Sequence, residues 1–183
     1  MYKKCKTKFS RQRQKEILDS FVDMLNKTPL EKISVTGLCR HCGIPRKAFY
    51  RYFESLDDVL LCWSDQISDE LSSRINTKEL FNKETALQNL IMFFEYWNTN
   101  RDTIKIIRKN KLSQNIFMRM TELASTTYDK LSDNIETEQA RFQMYMLLPA
   151  LIATLYLWDD NRYILTPKEL AKTTFNMLSK PLL

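Results

Sequence analysis

Two glycines, Gly37 and Gly43, serve a chain of 183 residues, together with five prolines. Strand-rich folds need many tight turns, and those turns draw on residues that accept positive φ. With so few turn-formers the chain cannot be built from short strands, so the fold class is all-α. An apolar content of 44% with 11% aromatics then suffices to bury a real core.

The helices can be placed from apolar spacing. Ile17, Leu18, Phe21, Val22 and Leu25 fall on one face of a helix spanning Phe9 to Leu25, which Pro29 stops. Ser34 is a good cap for a second, short helix in which Val35, Leu38, Cys39 and Cys42 share a stripe, placing both cysteines on its buried side. Gly43 suits the left-handed turn that follows, and Pro45 the first turn of a third helix. There Phe49 and Phe53 face inward, while Arg46, Lys47, Tyr50 and Arg51 stay outside. Two short helices joined by a glycine turn, the second with a cationic outer face, make a helix-turn-helix. A longer helix, capped by Ser55, is expected to reach Ile75 with Leu56, Leu60, Trp63, Ile67 and Leu71 inside. Further helices are expected near 84–98, 101–111, 113–133, 137–158 and 167–179.

Charge divides along the chain. Residues 1–60 hold 13 Lys/Arg against 7 Asp/Glu, whereas residues 61–183 hold 15 of each. A basic first third joined to a neutral remainder implies that the first part meets a polyanion. The arm from Lys3 to Lys15 alone carries seven basic residues and no acid.

Cys39 and Cys42 form a C-x-x-C with His41 between them. Tetrahedral zinc asks for four N or S ligands, and the remaining thiols, Cys5 and Cys62, lie in a distant arm and on another helix. Packing is the expected role, because a free thiol behaves as a small hydrophobe; no metal and no cofactor are expected. No apolar segment follows the basic start, and the run from Met144 to Trp158 is too short for a bilayer and broken by Pro149, so no membrane role and a cytoplasmic location are expected. No nucleophile elbow, metal triad or phosphate loop points to an enzyme.

The stretch "ISVTGLCRHCGIPRKAFYRYFESLDDVLL" resembles the DNA-binding signature of the TetR family of bacterial transcriptional regulators, with an aromatic core of Phe49, Tyr50, Arg51, Tyr52 and Phe53. The match covers roughly residues 9–62. The segment "LLPALIATLYLWDDNRYILTPKELAKTTFNML" is similar to the last two helices of that family. Departures are cysteine for alanine at 39 and 42, proline for serine at 45, lysine for glycine at 47, and Leu56 where the family often has a phosphate-binding lysine.

The resemblance implies a three-helix DNA-binding domain over residues 1–55 and a helical effector-binding and dimerisation domain over 56–183. It implies a homodimer paired through the last two helices on a palindromic, double-stranded DNA operator, acting as a repressor released by a small molecule. Tyr50 and Tyr52 are assigned to phosphates, and Arg46, Lys47 and Arg51 to guanine edges or phosphates. Ser34 and Thr36 add hydroxyl and backbone N–H groups that suit phosphate. Phe93, Trp97, Phe117, Phe142 and Met146 are the expected pocket residues; the neutral charge of residues 61–183 argues against a highly charged effector, and their many aromatic and Met side chains favour a hydrophobic one. Two alternatives stand beside this: a regulator or activator whose C-terminal domain binds a protein, and a redox sensor using Cys39 and Cys42.

Overall fold

The computed structural model describes residues 2–3, 5–75, 83–128 and 135–179. These residues form helices and turns, with no strand among them. The first helix, α1 (Lys8–Lys27), starts at a reciprocal cap in which Thr7 Oγ1 accepts the Ser10 N–H and Ser10 Oγ accepts the Thr7 N–H. Its inward stripe of Ile17, Leu18, Phe21 and Leu25 is buried. After a 3₁₀ turn at Leu30–Lys32, Ser34 caps α2 (Val35–His41) by accepting the Gly37 N–H at 3.0 Å. Gly43, at φ 66°, turns the chain into α3 (Arg46–Phe49).

The third helix is shorter than its aromatic spacing suggests. Regular α geometry ends at Phe49, and residues 50–52 close as tighter turns, with the Tyr52 N–H on the Phe49 carbonyl at 2.9 Å. Pro45 precedes the helix as its cap residue, one position earlier than expected. Phe49 and Phe53 still point inward at 0% exposure, with ring centroids 5.8 Å apart. Of the two cysteines expected in the buried stripe, Cys39 is buried, but Cys42 is half-buried because α2 ends at His41 and the chain bends away at Gly43.

The long connector α4 (Leu56–Ser72) opens on Ser55, whose Oγ accepts the Asp58 N–H, while Asp58 accepts the Glu54 N–H at 2.9 Å. Burial opposes the Asp58 charge, yet the Glu54 N–H helps to hold the carboxyl below its ordinary value. Leu60, Trp63, Ile67 and Leu71 are buried as expected, and Leu56 is half-buried.

Beyond α4 come α5 (Lys83–Thr99), α6 (Arg101–Lys109), α7 (Ser113–Tyr128), α8 (Ile135–Asp160) and α9 (Pro167–Ser179). α5 packs along α9, and α7 lies between α4 and α8. The "TP-x-EL" start of α9 is a second reciprocal cap: Glu169 accepts the Thr166 N–H at 2.8 Å, Thr166 Oγ1 accepts the Glu169 N–H, and Pro167 fills the first helical position. Trp158, near the end of α8, packs edge-on against Phe94 and donates its indole N–H to the Leu165 carbonyl at 2.9 Å. Arg108 binds Asp160 through two parallel hydrogen bonds, tying α6 to α8.

Candidate functional site

The helix-turn-helix presents its polar groups outward. Ser34, Thr36, Arg46, Lys47, Tyr50 and Arg51 are all exposed. Arg46 and Tyr50 act as one unit: Arg46 Nη2 donates to the Tyr50 hydroxyl at 3.0 Å, and its guanidinium lies 5.8 Å from the ring centroid. Tyr50 is fixed from behind by an edge contact with Phe49. Tyr52 differs from the other predicted contacts, because its ring is half-buried against the core.

The structure adds Lys3 to this face. Its backbone N–H donates to the Tyr52 carbonyl at 3.1 Å, and its ammonium donates to the Tyr50 carbonyl at 3.3 Å. The basic arm is therefore laid against the end of α3. Charge counting located the arm but had no means of placing it beside residues 47 to 49 positions away. His41 is turned outward, its Nε2 3.0 Å from Asp23 Oδ2.

Both thiols of the cysteine pair are raised above their ordinary values. Burial pushes the Cys39 thiol up, and Cys42 beside it adds to the effect; burial likewise raises Cys42. Thiolates are the nucleophiles and the metal ligands, so raised thiols oppose both roles. Among the described residues no group of three or more His, Cys, Asp or Glu is arranged to hold a metal.

Two polar bridges join the helix-turn-helix module to the C-terminal helices. In the first, Asp65 of α4 accepts the Tyr2 hydroxyl at 2.6 Å and a pair of Arg119 N–H groups from α7, while Arg119 also donates to Glu122 at 2.7 Å. Burial and the Asp65 bond push the Tyr2 phenol well above its ordinary value. In the second, Asn110 after α6 accepts the Leu30 N–H at 2.8 Å and donates to the Leu25 carbonyl at 3.2 Å. Lys109 reinforces it by donating to the Asn26 carbonyl at 2.9 Å.

Inside the C-terminal helices lies a small cavity of about 20 Å³, walled by residues that include Phe93, Trp97, Ile116, Met120, Leu148 and Ile152. Every lining residue is uncharged. Of the residues expected in an effector pocket, Phe93 and Trp97 are at this wall. Phe142 and Met146 are not; in the single chain they are 69% and 76% exposed on α8. The Phe117 side chain lies outside the described part of the structure. Ile104, Ile107 and Leu155 also line the cavity and were not singled out, because each reads as an ordinary inward position of an amphipathic helix.

A helix-turn-helix with a cationic outer face is here carried on a helical body with an inner apolar cavity. The chain has the fold of the TetR family of transcriptional regulators, and its sequence is related to one of them. That relative, the HTH-type transcriptional regulator EthR of Mycobacterium tuberculosis, is 28% identical over 123 residues, covering 64% of this chain and 56% of EthR. The match thus spans little more than half the length of the curated relative. A TetR-family transcriptional regulator from Syntrophomonas wolfei superposes with a TM-score of 0.70 at 16% identity, covering 95% of this chain and 98% of its own. FadR from Bacillus subtilis, in complex with stearoyl-CoA, gives 0.63 at 14% identity over 92% and 99%. No family model matches the chain. These relatives are regulators, not enzymes, and no described helix is long and apolar enough to cross a membrane.

Proposed function

We propose that this chain is a cytoplasmic, DNA-binding transcription regulator that acts as a homodimer on a palindromic operator and is released from it by a hydrophobic small molecule. The observation that carries the reading is the outward face of α3 and its neighbours. Arg46, Lys47, Tyr50 and Arg51 project from a rigid base of Phe49 and Phe53, with Lys3 pinned alongside. Such a face suits the major groove, with the cationic groups on phosphates and base edges. Residues 1–55 then form the DNA-binding domain and residues 56–183 the effector and dimerisation domain.

Dimerisation is supported by an apolar surface on α8 and α9. Met146, Pro149, Ala150, Ala153 and Leu157 recur at helical spacing along α8 and are exposed in the single chain, as are Met177 and Leu178 on α9. A second copy pairing through these helices would cover them. The effector reading is supported by the uncharged cavity around Phe93 and Trp97, and by a neighbour of the same fold that holds stearoyl-CoA. Effector binding would favour a spacing of the two recognition helices that no longer matches successive major grooves, a coupling of about 1–3 kcal/mol. The bridges at Asp65 and Asn110 are the candidate transmission points.

The test is selection of bound sequences from random duplex DNA with the full-length protein. A recovered palindrome bound by a dimer, and lost in a Lys47→Ala, Tyr50→Ala double variant, is the expected result. Selection that yields no preferred sequence, or a double variant that binds as the parent does, would remove the proposal.

A further inference from the structure

One residue of the cavity wall carries a polar group that the fold leaves unused. Among the described residues, Trp97 Nε1 is the one buried side-chain nitrogen or oxygen without a hydrogen-bond partner. Trp97 is 3% exposed and forms part of the cavity wall. Trp158, equally buried, shows the ordinary arrangement, with its indole N–H on a backbone carbonyl. Native proteins rarely leave a buried donor unmade, because the lost hydration is not recovered. An orphan donor carried by a residue of a cavity wall is therefore a sign of a ligand group that completes it when the wall parts.

The rest of the wall defines that ligand. The Ser113 and Tyr156 hydroxyls satisfy each other across the cavity. Arg108 lies over the Tyr156 ring, 5.3 Å from its centroid, but its charge is already matched by Asp159 and Asp160. All other lining groups are hydrocarbon, aromatic or thioether. A buried charge would find no counter-ion here and would be strongly disfavoured. A water would need two to four polar partners, and beyond the self-paired hydroxyls the wall supplies one.

We propose that the cavity takes an uncharged, mainly hydrocarbon molecule bearing a carbonyl-type oxygen, as in a ketone, ester, amide or thioester, and that this oxygen accepts the Trp97 indole N–H. The inference rests on the reading of the C-terminal helices as an effector domain. At about 20 Å³ the cavity is contracted, so entry requires the wall to part. Met120, unbranched and readily repacked, is the lining residue best suited to yield.

The experiment compares 2-octanone, octane and octanoate as probes on the full-length protein, by calorimetry and by indole ¹H–¹⁵N resonances, of which the three tryptophans give three. Trp97→Phe keeps an apolar wall, removes the donor and assigns the Trp97 resonance. The expected result is that 2-octanone binds about tenfold tighter than octane, as one recovered hydrogen bond implies, and shifts the Trp97 indole proton. In Trp97→Phe the preference collapses to within about twofold. Equal binding of ketone and alkane by the parent, or a preference that survives in Trp97→Phe, overturns the donor role while leaving an apolar effector site standing. Tighter binding of octanoate overturns the uncharged class. Binding of none of the probes would defeat the effector reading itself along with the proposal. Should Trp97→Phe fold poorly, the parent's ketone-to-octane ratio and the indole shift still decide.

Discussion

The helix-turn-helix and the inner cavity put their chemistry on opposite sides of the protein surface. The first packs Phe21, Phe49 and Phe53 completely inside and displays arginine, lysine and tyrosine outside. The second is walled by residues that look like any core, one of which carries an unused indole N–H. An outward site departs from the composition around it, so it can be seen as a charge excess. An inward apolar site matches the core in composition and becomes visible only once the walls are assembled.

This contrast predicts where substitutions act. The largest effect is expected from Phe49→Ala, which removes a fully buried ring from beneath the outward cationic face and should cost about 3–5 kcal/mol in urea denaturation. A loss below 1 kcal/mol would mean that the face does not rest on that core. Asp65→Asn comes next. It leaves Arg119 and Tyr2 without their shared carboxylate and should cost about 2–4 kcal/mol, whereas Tyr2→Phe, removing a single hydrogen bond, should cost about 1 kcal/mol. Equal losses in the two variants would show that Asp65 serves the arm alone.

Smaller effects belong to the outward face. Lys47→Ala should leave the melting curve within about 0.5 kcal/mol of the parent, yet lower the slope of log affinity against log salt by about 1 in anisotropy titrations on duplex DNA. An unchanged slope would place Lys47 away from phosphate. The smallest effect concerns the thiols. Burial first, then Asp65 nearby, push Cys62 up to about 12, and Cys39 and Cys42 are raised as well. The unfolded thiols ionise near their ordinary values while the folded ones stay protonated. Their contribution to stability is therefore complete below about pH 8.5 and declines as pH rises toward 12. Iodoacetamide at pH 8 should accordingly label these three cysteines slowly in the folded protein and quickly in urea, as followed by peptide mass spectrometry.

Much of the architecture was legible before any coordinates. The scarcity of glycine, the Ser34 and Ser55 caps, the Gly43 turn and the spacing of Phe49 and Phe53 are local features, each acting within one turn of helix. They place the outward cationic face because that face is itself built from consecutive residues. What sequence spacing could not supply were partners far apart in the chain. Tyr2 meets Asp65 at a separation of 63 residues, and Asn110 meets Leu30 at 80. Phe142 and Met146, expected in an effector pocket, lie outside this cavity in the single chain for a related reason. The N-terminal half of α8 is rich in large apolar residues on more than one side, so periodicity offers no unique inward face. Trp97 and Phe93 were easier, because α5 packs between partners that bury most of its large side chains.

The two polar bridges have a mechanical meaning beyond their contribution to stability. A body held at one point can swing in any direction; held at two, it turns freely only about the line that joins them. Asp65 with Tyr2 and Arg119 is one such pin, and Asn110 with Leu25 and Leu30 is the other. The cavity wall draws on α6 and α7, the helices that flank or carry these pins. A wall displacement would thus reach the helix-turn-helix as a hinge rotation about the line through the two pins, or it would have to pull one pin out.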